Sequence, residues 1–196
     1  MTRSTGESER PDPAKRKFIL AAIDDINEYG VTELSMRRVA QRCGMSPGAP
    51  YRHFENRSEL MLEVFRYISE SWERIWHSVN GRTEDSLRER LENVSAAYVR
   101  FLCDNPGFQT IITLNDSSLT PEQRAEKARL TGLSARLVEE YCDSVDMKEA
   151  DRRRKLYAVR AFIYGAAVMI NSGELPYTEE TVAMVKECIS REFDLP

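Results

Sequence analysis

Residues 35–60 read SMRRVAQRCGMSPGAPYRHFENRSEL. Val39 and Ala40 are small and apolar in a segment otherwise rich in Arg and Gln. Small side chains there let a second helix cross closely, and Gly44 supplies the sharp turn between the two. Ser35 is placed to cap a short helix over 35–43, which Gly44 ends. Ser46 is placed to cap a third helix running to about Phe54, with Pro47 tolerated in its first turn. That third helix would expose Pro47, Gly48 and Ala49 at its N-terminal end, with Tyr51, Arg52 and His53 one turn later. A helix whose N-terminal residues face bases, backed by hydroxyl, imidazole and guanidinium donors, is what a major-groove reader needs.

The flanking sequence is helical on both sides. Upstream, Phe18, Ile19, Ala22, Ile23 and Ile26 repeat at helical spacing. Asp12-Pro13 starts that first helix and Gly30 stops it. Downstream, a fourth, long helix begins near Ser58 and ends at Asn80-Gly81. Met61, Val64, Phe65, Ile68, Trp72, Ile75, Trp76 and Val79 step along it by three and four residues. A fifth helix runs from Leu87 to Leu102 and stops at Asn105-Pro106-Gly107. A short piece carries Phe108, Ile111, Ile112 and Leu114. Pro121 opens a long seventh helix. An eighth spans about 148–172 and a ninth about 178–193, parted by Gly173 to Pro176. No period-2 alternation of β-branched residues appears. The expected fold is all-α, with about nine helices. Residues 1–12 read as a disordered tail, 13–60 as a three-helix DNA-binding domain, and 61–196 as a helical ligand-binding and dimerisation domain. The long fourth helix joins the two domains.

Charge follows the same division. The chain carries a formal net charge of -4. Residues 13–57 hold eight Lys and Arg against five Asp and Glu, whereas 58–196 hold 18 against 24. A basic end joined to an acidic body suits a small DNA reader carrying a larger module. The four cysteines, Cys43, Cys103, Cys142 and Cys188, lie far apart and form no C-x-x-C pair. That spacing favours reduced thiols over a disulfide framework. With two histidines and no H-x-x-x-H, neither a metal site nor any cofactor is expected. No apolar run approaches the ~18 residues of a membrane span, and no signal-peptide pattern opens the chain. A cytoplasmic protein with no membrane partner is expected.

The run G-x-S-x-G-x-x-Y-x-H-F at Gly44–Phe54, followed by N-R-S-E-L and preceded by A-x-x-x-G, resembles the tetracycline-repressor (TetR) family of bacterial regulators. The resemblance covers about residues 13–62; beyond that it is architectural. It implies that Arg37 reaches a base edge and that Pro47, Gly48 and Ala49 lie against bases. It implies that Tyr51, His53 and Arg57 hold phosphates, that Ser35 and Ser46 cap and touch phosphate, and that Arg52 contacts base or backbone. Arg57 stands where the family often has Lys. Pro50 departs from the pattern: it removes an amide donor and crowds the carbonyl of Ser46, which leaves the first turn open to distortion. Phe54 reads as core, Arg38 and Arg42 as solvated, and Cys43 as packing.

The expected partners are double-stranded DNA, a second copy of the chain docked through the last two helices, and a small-molecule effector. Trp72 and Trp76 are candidates either for core packing or for the lining of an effector cavity. Tyr98, Phe101, Phe108 and Phe162 are weaker candidates of the same kind. Gly165, Ala166 and Ala167 would allow close helix approach. An enzyme is the remote alternative: Glu139-Glu140 and Glu179-Glu180 are adjacent pairs that point to different helix faces, and no nucleophile–base arrangement or phosphate loop stands out. A regulator governed by a protein partner is the nearer alternative.

Overall fold

The computed structural model describes residues 12–81 and 84–194. The reading of residues 1–12 as a tail falls, except for Asp12, outside the described residues. Eight α-helices are present and, among the described residues, no strand. They are α1 (Pro13–Tyr29), α2 (Met36–Arg42), α3 (Arg57–Asn80), α4 (Leu87–Asp104), α5 (Pro106–Ile112), α6 (Pro121–Ser144), α7 (Glu149–Asn171) and α8 (Glu179–Asp194). The chain divides into two compact units, Met1–Val64 and Phe65–Pro196.

In the first unit, caps set the helix ends. Asp12 accepts a hydrogen bond from the Ala14 amide (2.9 Å) with Pro13 in the first turn, and Ser35 Oγ accepts from the Arg38 amide (3.4 Å). After α2, Gly44 takes φ +68°. Its amide donates to Gln41 O (3.0 Å) and that of Met45 to Ala40 O (3.0 Å). This is the paired-bond stop that needs a left-handed residue. Replacing Gly44 with Ala is therefore expected to cost about 1 kcal/mol, read as a lower urea midpoint with an unchanged slope. Phe18, Ala22, Ile26, Val39, Ala40, Phe54, Leu60 and Val64 close the core. The Phe18 and Phe54 rings meet edge to face at 6.3 Å.

The third helix expected over 46–54 is not an α-helix. Residues 46–49 form a turn, and Pro50–Arg52 form one 3-10 turn. The cause is Pro50: without its amide the bond back to Ser46 O cannot form. The carbonyl of Ser46 instead accepts from the Ala49 amide (2.9 Å), and those of Gly48 and Ala49 accept from Tyr51 and Arg52 (both 3.2 Å). These are three-residue steps, which tighten the backbone. No side chain caps this turn, so Ser46 does not have the capping role expected of it.

In the second unit α4 is central and packs against α6, α7 and α8. Its inward residues Leu91, Val94, Tyr98, Val99, Phe101 and Leu102 are buried. Reciprocal capping boxes open α4 (Ser86 with Glu89) and α6 (Thr120 with Gln123, ahead of Pro121). Arg88 ties three helices. It donates to Glu92 Oε1 (2.9 Å), Tyr141 Oη (3.2 Å) and Asp194 Oδ1 (3.0 Å), with its guanidinium 5.4 Å from the Phe193 ring centre. No helix among the described residues is long and apolar enough to cross a membrane.

Candidate nucleic-acid interface

The residues expected at DNA separate into two groups. Arg37, at the second position of α2, is exposed and forms no hydrogen bond or ion pair with the described residues. Ser46, Pro47, Gly48, Tyr51 and Arg52 are exposed on the turn that packs on α2, and Tyr51 is 57% exposed. A tyrosine so placed has its phenol in water, as a phosphate donor requires. Ala49 is half-buried and Pro50 buried, so the proline anchors the turn while its neighbours face out. Arg57 is exposed and donates one N–H to the Val31 carbonyl.

Two residues are more committed than their motif suggests. Ser35 is half-buried, with its hydroxyl capping α2 and its amide donating to Asp25 Oδ2 (3.0 Å). His53 is half-buried: its ring lies 5.6 Å from Phe18 and its Nδ1 is 3.3 Å from Asp12 Oδ2. Its position is fixed by the start of α1, and any phosphate contact would have to use the other edge of the ring.

A clamp of buried charge joins α1 to α2. Asp25, fully buried on α1, accepts from Arg38 at 2.7 and 3.0 Å and lies 3.6 Å from the Arg42 guanidinium. Arg42 also pairs with Glu28. Arg38 lies 4.3 Å over the Tyr29 ring. Burial pushes the Asp25 carboxyl up. The Arg38 hydrogen bond, the Ser35 amide and the charges of Arg38 and Arg42 together outweigh it and hold the pKa below the usual carboxylate value. The arginines expected to be solvated are thus structural. Two signals mark the clamp in the sequence: Asp25 lies on the apolar stripe of α1, and Arg38 and Arg42 are spaced one turn apart. Cys43 is buried, with its Sγ 3.6 Å from the Lys17 carbonyl, and burial pushes its thiol up. That suits packing rather than redox chemistry.

In the second unit, an open groove of ≈ 460 Å³ has Phe101 and Phe108 in its wall, with Tyr67 and Arg74 at α3. A smaller enclosed cavity involves Tyr98. Trp72 is fully buried against Tyr98 (4.5 Å between ring centres) and Phe101 (5.5 Å), and so serves as core. Trp76 packs edge to face on His77 (5.1 Å). Neither tryptophan lines these two spaces. Phe162 lies on the outer side of α7 and is about a third exposed, at 36%, away from both.

A short helix stopped by a left-handed glycine and followed by an exposed basic and aromatic turn has the frame of a helix-turn-helix DNA-binding domain. Residues 18–64 match the family model described as "Bacterial regulatory proteins, tetR family". These residues thus form a domain of the kind that this family model describes. The nucleoid occlusion factor SlmA of Aliivibrio fischeri (strain MJ11) is 27% identical over 154 residues, covering 76% of this chain and 73% of that protein. The HTH-type transcriptional regulator BetI of Brucella anthropi is 26% identical over 122 residues, 62% and 61% of the two chains. Among solved structures, a TetR-family regulator from Marinobacter aquaeolei VT8 superposes with TM-score 0.76 at 20% identity, covering 95% of this chain and 98% of that one. FadR of Bacillus subtilis, solved with stearoyl-CoA, superposes with TM-score 0.71 at 17% identity, with coverage of 90% and 96%. These two share the fold across both units.

Proposed function

We propose that the protein is a homodimeric repressor that binds a near-palindromic operator and is released from it by a small molecule held in the second unit. The observation that carries the DNA-facing part is the exposed turn at Ser46–Arg52, with Tyr51 in solvent and Arg37 without a partner among the described residues. In this reading each copy places its turn in one major groove, and the two-fold symmetry of the protein matches that of the operator. Arg37 reads a base edge. Pro47, Gly48 and Ala49 lie against bases, while Tyr51, Arg52 and Arg57 hold phosphates.

Dimerisation is supported by the outer face of the last two helices. Tyr157 (73%), Phe162, Val168, Met169 and Met184 are exposed there. Gly165 of the same helix has ample space where a Cβ would stand, with only Met169 Cε at 4.0 Å. An apolar face of this kind on a helical protein fits a second copy. Val168→Arg together with Met184→Arg is expected to convert the dimer to a monomer in sedimentation equilibrium. Operator affinity should then fall by at least tenfold, because one half-site no longer assists the other.

Effector control requires a molecule that binds one of two reader spacings more tightly by a few kcal/mol. The likeness of fold to FadR of Bacillus subtilis, solved with stearoyl-CoA, supports a small-molecule ligand. A second reading keeps the DNA reader and replaces the small molecule by a protein partner. The functional test is a gel shift on the region upstream of the protein's own gene, with and without candidate effectors. Release of DNA together with thermal stabilisation by a small molecule supports the first reading. Release by a protein fraction alone supports the second.

A further inference from the structure

We propose that the slot between α6 and α7, floored by Tyr98 of α4, takes an uncharged, mainly apolar molecule whose single oxygen hydrogen-bonds the Tyr98 and Ser134 hydroxyls. The proposal rests on the reading of the second unit as an effector domain and gives that effector a chemical class.

Two side chains point to it. Tyr98 is 4% exposed, and its hydroxyl is buried without a hydrogen-bond partner among the described residues. Ser134 Oγ is buried and unpartnered in the same way. Both line one cavity. Buried hydroxyls are nearly always paired, so two unpaired ones in one space call for an outside partner. Tyr164 lies across from Tyr98 with ring centres 6.2 Å apart; its hydroxyl acts on the Tyr98 phenol but gives it no hydrogen bond of normal geometry. Burial, reinforced by Tyr164, keeps the Tyr98 phenol protonated, so it donates.

The rest of the slot sets the class. Val138, Val159 and Ile163 make its walls apolar. Arg160 also lines it with its side chain exposed, while the buried donors themselves are neutral. A carboxylate placed inside would lose its hydration without gaining a buried cation. The space is ≈ 20 Å³, enough for one oxygen-sized group. The body of the ligand therefore enters by parting α6 from α7, where Leu156 and Tyr164 are half-exposed.

The test uses the full chain, Tyr98→Phe and Ser134→Ala, with phenol, acetophenone, benzoate and ethylbenzene as probes in calorimetry and thermal unfolding. Phenol and acetophenone are expected to bind the wild type and raise its Tm, and benzoate is not. Each variant should bind the two oxygen-bearing probes about tenfold more weakly and bind ethylbenzene as before. Each should also raise the ligand-free Tm by about 2–4 °C, because an unpaired buried hydroxyl is gone. A lower ligand-free Tm would show that the hydroxyls serve the fold and would overturn the proposal. So would unchanged probe affinities in the variants, preference for benzoate, or no binding of phenol and acetophenone by the wild type. If stearoyl-CoA releases operator equally from the wild type and both variants, the effector reading stands and this slot is not its site.

Discussion

Replacing Asp25 with Ala is expected to destabilise the DNA-binding unit by about 2–3 kcal/mol, a large part of the ~5–15 kcal/mol available to a folded domain. The carboxylate is fully buried and holds Arg38, Arg42 and the Ser35 amide at once. Its loss leaves that amide unpaired and two guanidiniums facing a cavity. Breaking a fully buried ion pair costs about 3–5 kcal/mol. The smaller figure applies here because Arg38 and Arg42 reach solvent, with 35% and 31% of their side chains exposed. Asp25→Asn keeps the shape and the amide bond but removes the charge, and should cost less than Asp25→Ala. The same group gives an acid dependence of known sign. Its folded pKa lies below the unfolded value of about 3.9. Its contribution is therefore fully present above that unfolded value and is lost as pH falls through the folded one. Urea midpoints measured from pH 5 to pH 2 should fall for the wild type and fall less steeply for Asp25→Asn; parallel slopes would remove Asp25 from the account.

The second large effect falls on DNA. The double variant Tyr51→Phe with Arg57→Gln is expected to weaken binding by tenfold or more on any duplex, since both residues are assigned to phosphates. Its salt dependence should be shallower by about one counterion, the charge removed with Arg57. Arg57 also bonds the Val31 carbonyl, so a circular-dichroism melt must show the unit still folded. His53→Ala is a poorer probe: the ring packs on Phe18 beside Asp12, so its removal mixes stability with contact. Arg37→Ala should act differently, relaxing preference at one base position at a cost of about 1–3 kcal/mol of discrimination. A uniform loss across all positions would mean that Arg37 holds a phosphate instead.

Most helix boundaries are legible in the residues because they rest on local chemistry. Asp12-Pro13, Ser35, Gly44 and Pro121 stand at helix ends in the structure as their capping and turn properties predict. Pro50 shows how far local reasoning reaches. Its missing amide forecasts a distorted turn, but the replacement of the whole short helix by a turn and one 3-10 step depends on how Pro50 buries itself. The Asp25 clamp and the Asp12–His53 pair join residues far apart in the chain: the helical period marks Asp25, Arg38 and Arg42 singly but does not encode that they meet. In α7 the second half is apolar nearly all round, so periodicity cannot choose its inner face. The structure turns Val159, Ile163, Ala166, Ala167 and Ile170 inward and Phe162, Val168 and Met169 outward. That is why Phe162 moves from the effector candidates to the face assigned to the dimer.

The most direct test of the central claim is fluorescence anisotropy with a labelled duplex from the region upstream of the gene, set against a scrambled duplex of equal length at one salt concentration. A sequence-reading turn at Ser46–Arg52 with Arg37 beside it predicts binding at least ~10³-fold tighter to one near-palindromic site than to the scrambled duplex. It also predicts that Arg37→Ala narrows that ratio. Equal affinity for both duplexes, falling together as salt rises, would mean that this surface only attracts phosphate and reads no sequence.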